Sequence, residues 1–278
     1  MELEATASAQ GWTIRPPNRL RATSFAVDTS HPVAPAHIDL SQLRFVEPGG
    51  IVALAVYVER LVQAGQRPLG VTAPLDSSVS NYLARARIHD YLENHAVPHN
   101  IAPVRERELG ARLVPLTSFR GGIEITALAS SAYEFAEQAR PNAGGPLHTA
   151  LCEAGENVVV HAESERGYAV AQYFPNLGRF DFAIGDAGRG YLGSLAARGA
   201  TDHASATRLA LTPGVSSTDD GGRGYGLSTI VEQLLDLDGA ATFVTGNHQL
   251  VRFGRGHEVA ATLDGLVEGT VVTGRFRA

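Results

Sequence analysis

The stretch Leu151 to Ser164, LCEAGENVVVHAES, has the length and spacing of one amphipathic helix. Glu153, Asn157 and His161 are spaced i, i+4 and i+8, so an α-helix places them on one face, with Leu151 and residues 158–160 forming the apolar side. A carboxylate and a carboxamide one turn apart suit a bound divalent cation and an activated water. An ordinary amphipathic helix would show the same triplet, so the choice depends on the rest of the chain.

Two glycine-rich segments follow this predicted helix. The first, RFDFAIGDAGRGY (179–191), is an apolar run that reads as a strand and ends in Asp186, Gly188 and Gly190. The second, TDDGGRGYGLSTI (218–230), places Gly222, Gly224 and Gly226 directly before a helical pattern. A glycine loop that leads into a helix presents backbone amides to an anion. These segments therefore favour a phosphate-containing ligand.

The order and spacing of these motifs resemble the GHKL superfamily of ATP-binding domains, which have the Bergerat fold. The resemblance is closest to anti-sigma factor serine kinases and histidine-kinase-like ATPases, and it covers roughly residues 120–278. It implies an α/β sandwich over residues 119–278, in which helices cover a mixed, mostly antiparallel sheet. It also implies that ATP and Mg²⁺ are the cofactors.

The resemblance assigns a role to each polar residue of the first two motifs. Asn157 would ligate magnesium, and Glu153 would orient or deprotonate the attacking water or hydroxyl, although it could instead be a solvated helix residue. His161 holds a basic position of the family, but a helix-end role is favoured over phosphate contact. Asp186 would accept a hydrogen bond from the adenine amino group, and Thr270 would share that network. Gly188 and Gly190 would let the backbone approach the nucleotide.

The second glycine segment would hold the triphosphate. Its residues in that role are Gly222, Arg223, Gly224, Tyr225, Gly226 and Leu227. Several family members carry a Lys or Arg beside the motif histidine, whereas this chain has Val160, and Arg223 could supply the missing charge. Residues 191–220 occupy the place of the family's ATP lid, whose closure on nucleotide is the expected mechanical switch.

The first half, residues 1–118, resembles the STAS domain of anti-sigma factor antagonists. The resemblance is carried by DLSQLRFVEPGGIVAL, which begins at Asp39, set against the family's strand, D-S-S-G turn and helix. Glu47 keeps the acidic position, but Pro48 and Gly49 replace the two serines, so the hydroxyl that the family's kinases phosphorylate is missing. We therefore expect a β-α domain that acts in docking or scaffolding, with a small-ligand pocket as the alternative.

Apolar patterns and breaker residues predict further elements. In the first half we expect a strand around Ser24 to Val27 and a helix from about Ser78 to Leu92. Residues 94–120, which contain three prolines, are expected to form a short helix and a connector between the halves. In the second half we expect a helix from Ile125 to Arg140 and paired strands at GYAVAQYF (167–174) and RFDFAIGD (179–186).

The composition limits the binding partners and the cellular location that we expect for this protein. The net charge of −6 argues against bulk electrostatic binding of nucleic acid, and all 23 basic residues are arginine, so any side-chain cation on phosphate must be a guanidinium. No apolar run reaches the roughly 18 residues of a membrane span and the N-terminus lacks a signal layout, so we expect a cytoplasmic protein with no membrane contact. The single cysteine, Cys152, is expected to be a packing residue.

The sequence thus predicts a bacterial regulatory protein that binds Mg-ATP and uses lid closure to control a protein partner similar to a sigma factor or its antagonist. It could act as a serine/threonine kinase with Glu153 as the base, or as a sensor that binds or slowly hydrolyses ATP. A scaffold with a dead nucleotide site, acting through the STAS-like half, is a third class. A homodimer is compatible with each of these.

Overall fold

The computed structural model describes residues 3–8, 11–28, 37–66, 69–104, 112–216, 224–254 and 256–278. Over these residues the protein has the α/β class predicted from the sequence, with helices packed against mixed sheets. None of the helices in these ranges is both long and apolar enough to cross a lipid bilayer.

The N-terminal half is a small sheet with helices. Its strands are β1 (Glu4–Ser8), β2 (Gly11–Arg15), β3 (Arg19–Leu20), β4 (His37–Asp39), β5 (Phe45–Val46) and β6 (Gly70–Thr72). Its helices are α1 (Pro48–Gln63), α2 (Ser77–Arg85) and α3 (Ile88–Asn94). One sheet has the order β1-β2-β4-β6, in which β1 is antiparallel to β2 and the other pairs are parallel, while β3 and β5 form a separate parallel pair.

Two predictions for this half are wrong in detail. The segment Ser24 to Val27, predicted to be a strand, is largely a turn, and Val27 makes only an isolated bridge to Leu266. The helix predicted from Ser78 to Leu92 is divided into α2 and α3. Arg87 has a left-handed backbone with φ 59°, and this conformation ends one helix before the next begins.

The C-terminal half contains the larger sheet. Its strands are β7 (Leu113–Phe119), β8 (Gly167–Phe174), β9 (Arg179–Asp186), β10 (Ala240–Phe253) and β11 (His257–Arg277). Its helices are α4 (Gly122–Ala139), α5 (Gly144–His161), α6 (Gly190–Leu195), α7 (His203–Ala210) and α8 (Gly226–Asp236). The five strands are antiparallel and have the order β10-β11-β9-β8-β7.

Prolines explain where element boundaries differ from the prediction. The segment around Pro115, predicted to be a connector, is edge strand β7, and Pro115 lies at a register shift between Val114 and Thr117, where a missing N–H is tolerated. The predicted division between residues 118 and 119 therefore falls inside this strand. Helix α5 begins at Gly144, earlier than predicted, because Pro146 lies in its first turn, where proline is compatible with a helix.

Helices cover both faces of the large sheet. Helices α4, α5 and α8 pack on one side, and α1 from the N-terminal half contacts β8, β9 and β11 on the other. Val52 of α1 approaches Gly185 of β9 so closely that a Cβ at position 185 would lie 2.8 Å from its Cγ1. Val52 and Val271 of β11 are both fully buried in one apolar core. The two halves therefore share a core.

A buried carboxylate lies within this shared core. Glu59 of α1 is 4% exposed and accepts hydrogen bonds from His95 at 2.7 Å and from the Tyr168 hydroxyl of β8 at 2.6 Å. Burial alone would raise the pKa of Glu59, but these hydrogen bonds outweigh it and hold the pKa at about 2. The hydrogen bond to Glu59 also raises the pKa of His95. The hydrogen bond from Tyr168 to this ion-paired carboxylate therefore joins the N-terminal half to the large sheet.

Candidate functional site

A cavity of about 260 Å³ opens where α5, the end of β9, the interior of β11 and the start of α8 meet. This volume is close to the lower end of the range for small-molecule sites, roughly 300–1,000 Å³. Its walls combine polar side chains from α5 with apolar ones from the sheet, including Ile184 and Val272. The three sequence motifs therefore converge on one concave site.

Helix α5 places two polar side chains beside the first residue of α8. Asn157 donates a hydrogen bond from Nδ2 to the Glu153 carbonyl oxygen at 2.8 Å, which leaves its Oδ1 available as a ligand. A Cβ on Gly226 would lie 2.7 Å from Glu153 Oε2 and 3.1 Å from Asn157 Nδ2. Burial and the nearby Glu156 raise the pKa of Glu153. Only glycine at position 226 leaves space between α8 and these two side chains. Glu153 also binds a proton more readily than an exposed carboxylate does.

Asp186 ends β9 at the inner wall of the cavity. Its side chain is 3% exposed, and Oδ1 accepts the Gly188 N–H at 2.8 Å. The other carboxylate oxygen has no hydrogen-bond partner in the part of the chain that the structure describes. Burial raises the pKa of Asp186 to about 7, and the Gly188 N–H only partly opposes this rise. Asp186 is therefore a buried acceptor with one oxygen left for a ligand.

The backbone after Asp186 is held close to α5. Arg189 N–H donates to the Ala162 carbonyl oxygen at 3.0 Å, and a Cβ on Gly188 would lie only 2.0 Å from that oxygen. Gly190 has φ +65°, and a Cβ there would lie 2.7 Å from Thr245 Oγ1. Gly188 and Gly190 thus permit the tight approach between the strand end, the end of α5 and β10.

Thr270 lies directly beside Asp186. The antiparallel register of β11 and β9 pairs Thr270 with Asp186, and Thr270 is 7% exposed and lines the cavity. Thr270 and Asp186 are therefore neighbours in the sheet, although 84 residues separate them in the sequence. The sequence motif identified Thr270, but only the fold makes it adjacent to Asp186.

The glycine loop before α8 forms the outer wall. Gly224 has φ +99° and its carbonyl oxygen accepts the Gly214 N–H at 3.0 Å, which joins the loop to the segment after α7. Tyr225, 55% exposed, lies at the rim, and Leu227 is buried. Because α8 begins at Gly226, its first amides lie at the cavity. This end of the site suits an anion.

The structure brings most of the predicted site residues together. Those that line the cavity are Glu153, Asn157, Asp186, Gly190, Gly224, Tyr225, Gly226, Leu227 and Thr270. Gly188 donates its N–H to Asp186 and is not one of the described residues that line the cavity. Gly222 and Arg223 lie outside the described residues, and of His161 only the backbone, at the end of α5, is described.

Two ionisable lining residues, Glu156 and Tyr191, were not predicted from the sequence. Glu156 precedes Asn157 and is three residues after Glu153, so helical spacing could have indicated it. Tyr191 follows Gly190 and is 9% exposed, and its buried hydroxyl has no hydrogen-bond partner within the described part of the chain. Burial and the nearby Asp186 raise the pKa of Tyr191 far above its usual range. No signal in the sequence distinguishes this tyrosine from an ordinary core residue.

The charged side chains that line the cavity, among the described residues, are acidic. Among the described residues, the ionisable lining side chains include the carboxylates of Glu153, Glu156 and Asp186 but no arginine. An anionic ligand would therefore depend on a cation bound with it, on the amides of α8, or on a basic side chain elsewhere. Within the described ranges no group of three His, Cys, Asp or Glu side chains is placed to hold a metal alone. A metal at Asn157 would need oxygens from the ligand.

The lid segment forms the remaining wall. Helices α6 and α7 connect β9 to the glycine loop, and Ala210, Val215 and Ser216 from this segment line the cavity. The position predicted for a lid is thus adjacent to the site.

Comparison of the sequence with models of known protein families gives no match, and no curated protein shows significant similarity to it.

Proposed function

We propose that this chain is a regulatory ATP-binding protein of the GHKL type, which binds Mg-ATP in the cavity between α5, β9 and α8 and controls a partner through its lid. The observation that carries the proposal is the convergence of three separated motifs, in which Gly226 touches Glu153 and Asn157 while Asp186 and Thr270 form the opposite wall. A fortuitous motif match would not place all three around one cavity.

The donor groups fit a nucleotide. The unpaired oxygen of Asp186 can accept a hydrogen bond from an exocyclic amino group, and the apolar side chains of Ile184 and Val272 suit a planar base. The amides at the start of α8 and the glycine backbone at Gly224 suit phosphate oxygens. ATP presents this combination of an amino-substituted base at one end and phosphates at the other.

Magnesium fits the same site through Asn157. Its Oδ1 is free because Nδ2 is bonded to the helix backbone, and Mg²⁺ commonly takes one or two protein oxygens together with phosphate oxygens and water. When bound, Mg²⁺ would neutralise phosphate charge in a cavity whose described walls carry carboxylates. The metal therefore accounts for how these walls could accept a triphosphate.

Glu153 suits a general base. Its raised proton affinity and its position at the Gly226 junction would let it take the proton of an attacking hydroxyl or water. In the kinase version, the oxygen of a partner's Ser or Thr forms a bond to the γ-phosphorus, its proton passes to Glu153, and ADP leaves. In the sensor version, ATP binds or is slowly hydrolysed without transfer.

The STAS-like half is proposed to act as a scaffold. Gly49 is buried at the start of α1, and a Cβ there would lie 2.8 Å from Thr273 Cγ2 of β11. A serine at this position would press against the large sheet, away from solvent. This contact favours a permanent docking role and a phosphoacceptor supplied by another protein. We also propose that the protein works in the cytoplasm.

Calorimetric titration of the purified chain tests the proposal. We expect micromolar or tighter binding of ATP with Mg²⁺, much weaker binding with EDTA, and loss of the magnesium effect in Asn157→Ala. Asn176→Ala, an exposed asparagine in the turn after β8, is the matched control and should bind as the wild type does. Absence of ATP binding in the wild type would reject the proposal in favour of a scaffold with a dead nucleotide site.

Phosphate release separates the remaining versions. Glu153→Gln should retain Mg-ATP binding and lose phosphate release if the protein is catalytic. Binding by the wild type without release, also in the presence of candidate partners, would identify a sensor.

A further inference from the structure

Helix α7 rests on the outer part of the β10–β11 hairpin through two histidines. His203 is the first residue of α7, and His248 lies on β10 and is 4% exposed. The Nδ1 atom of His203 and the Nε2 atom of His248 are both buried, and neither has a hydrogen-bond partner among the residues that the structure describes. Buried polar atoms are normally paired, so two orphaned ring nitrogens at one contact require an explanation.

The backbone of β10 is shaped to receive His203. Gly246 has φ +54° and lies between two register shifts of the hairpin. A Cβ at Gly246 would lie 2.2 Å from both Nδ1 and Cε1 of His203, so the imidazole lies directly on the glycine. The contact therefore depends on an irregular strand and on glycine, which indicates a specific docking position for α7.

Charged groups surround the two rings. Asp202 caps the start of α7 by accepting the Ser205 N–H, and Arg208 lies on α7 itself. Glu258 of β11 lies 2.9 Å from Arg252 of β10 and 3.7 Å from Arg208. Burial, Arg208 and His203 lower the pKa of His248, and Asp202 and Glu258 only partly oppose this. The docked position therefore favours a neutral His248.

We propose that α7 is latched to the hairpin by neutral His248 packed beside His203, and that protonation of His248 in mildly acidic solution releases α7. A protonated ring would carry a buried N–H without an acceptor next to a cationic arginine, and this arrangement disfavours the docked helix. Release of α7 exposes the nitrogen to water and separates the charges.

The direction of the effect follows from proton linkage. Because the docked state holds His248 at a pKa below that of the exposed imidazole, about 6.5, the released state binds more protons as the pH falls. Docking is then complete above that pH and weakens by up to about tenfold for each unit below it. One histidine limits the dependence to a single proton.

The latch has a consequence for the cavity that rests on the proposed function. Ala210 at the end of α7 lines the cavity, and the segment after α7 bonds to the glycine loop through Gly214 and Gly224. Release of α7 would therefore open the lid side of the site. Acidification would therefore weaken nucleotide binding through the release of α7, in addition to the effect of protons on residues that contact the nucleotide.

Hydrogen exchange of the full chain without nucleotide tests the latch. After correction for intrinsic exchange rates, protection of the α7 amides should fall by up to about tenfold per pH unit below about pH 6.5 in the wild type. His248→Gln should give protection that no longer depends on pH. His257→Gln, an exposed histidine on the same hairpin, should behave as the wild type does.

Failure of the latch is distinguishable from failure of the proposed function, since no nucleotide is present. Protection of α7 that is independent of pH in the wild type, or equally dependent on pH in His248→Gln, would overturn the proposal. If His248→Gln does not fold, NMR titration of the wild-type imidazoles gives the second measurement. The imidazole assigned to His248 should titrate below about 6.5, the usual value for histidine, and titration at or above that value would overturn the proposal.

Discussion

The two faces of the large sheet meet very different partners. On one face α1 packs so closely that Val52 touches Gly185, and the buried carboxylate Glu59 is paired with His95 and Tyr168. On the other face α5 and α8 border a cavity, where Asp186 keeps an oxygen without a partner in the described chain. The first face is closed and its buried carboxylate Glu59 is paired, whereas the second borders an open cavity next to the carboxyl group of Asp186.

This difference separates stability from function within one sheet. Replacing an apolar residue on the closed face should unfold the protein, because that face has no space or water for a polar group. Replacing a residue that lines the cavity should change nucleotide binding more than it changes stability. Such a side chain borders open space, so less of its packing is lost. Four substitutions test this division, from the largest effect to the smallest.

Val52→Asp should destabilise the protein most. Val52 is fully buried between α1 and β9, and an unpaired carboxylate there should reduce the free energy of unfolding by about 4 kcal/mol or more. Urea denaturation followed by circular dichroism measures the loss. Leu75→Asp, at a side chain that is 78% exposed, is the matched control and should change stability by less than about 0.5 kcal/mol. Equal effects would show that α1 does not share the core.

Gly226→Val should abolish nucleotide binding while the chain stays folded. Its side chain would overlap Glu153 and Asn157, so we expect the affinity for Mg-ATP to fall by at least about 100-fold, or roughly 2.7 kcal/mol. Titration calorimetry measures the affinity, and the melting temperature reports the fold. Gly145→Val is the control, because Gly145 also lies in a first helical turn but has open space around its Cβ. Loss of binding in both variants would contradict a local effect.

The sequence predicted the helices and strands that have a strong apolar periodicity. The helix from Ile125 to Arg140, the paired strands β8 and β9 and the helix carrying Glu153 are all confirmed, because their apolar patterns are long and regular. The convergence of the motifs at one cavity is also seen. Nucleotide binding itself stays a prediction.

Other features depend on tertiary contacts that no local pattern encodes. Strand β7 was missed because Pro115 indicated a connector, and only pairing with β8 reveals how an edge strand accommodates it. The apolar pattern of α1 predicted a helix but not that it would cover the large sheet. Tyr191 and the histidine contact at Gly246 likewise arise from residues that are distant in sequence.

Asp186 should make nucleotide binding depend on pH. Its pKa of about 7 means that the ionised form, which accepts the amino group, is the minor form in acid. Binding should therefore tighten by up to about tenfold per pH unit as the pH rises towards 7, and then level off. Calorimetry in buffers of different ionisation enthalpy should detect proton release on binding. In Asp186→Asn this proton release should vanish, and its persistence would assign the proton to another group.

His95→Gln should have the smallest effect, confined to stability on the closed face. Glu59 raises the pKa of His95, so the ion pair contributes fully below the unfolded value of about 6.5 and is lost as the pH rises through the folded pKa. The wild type should therefore lose about 1 kcal/mol more than His95→Gln between about pH 6 and pH 9 in urea denaturation. The raised pKa of Asp186 also affects stability, but it is present in both chains and cancels in the difference. His257→Gln, at an exposed position, should follow the wild type. Parallel curves for all three chains would show that Glu59 does not raise the pKa of His95.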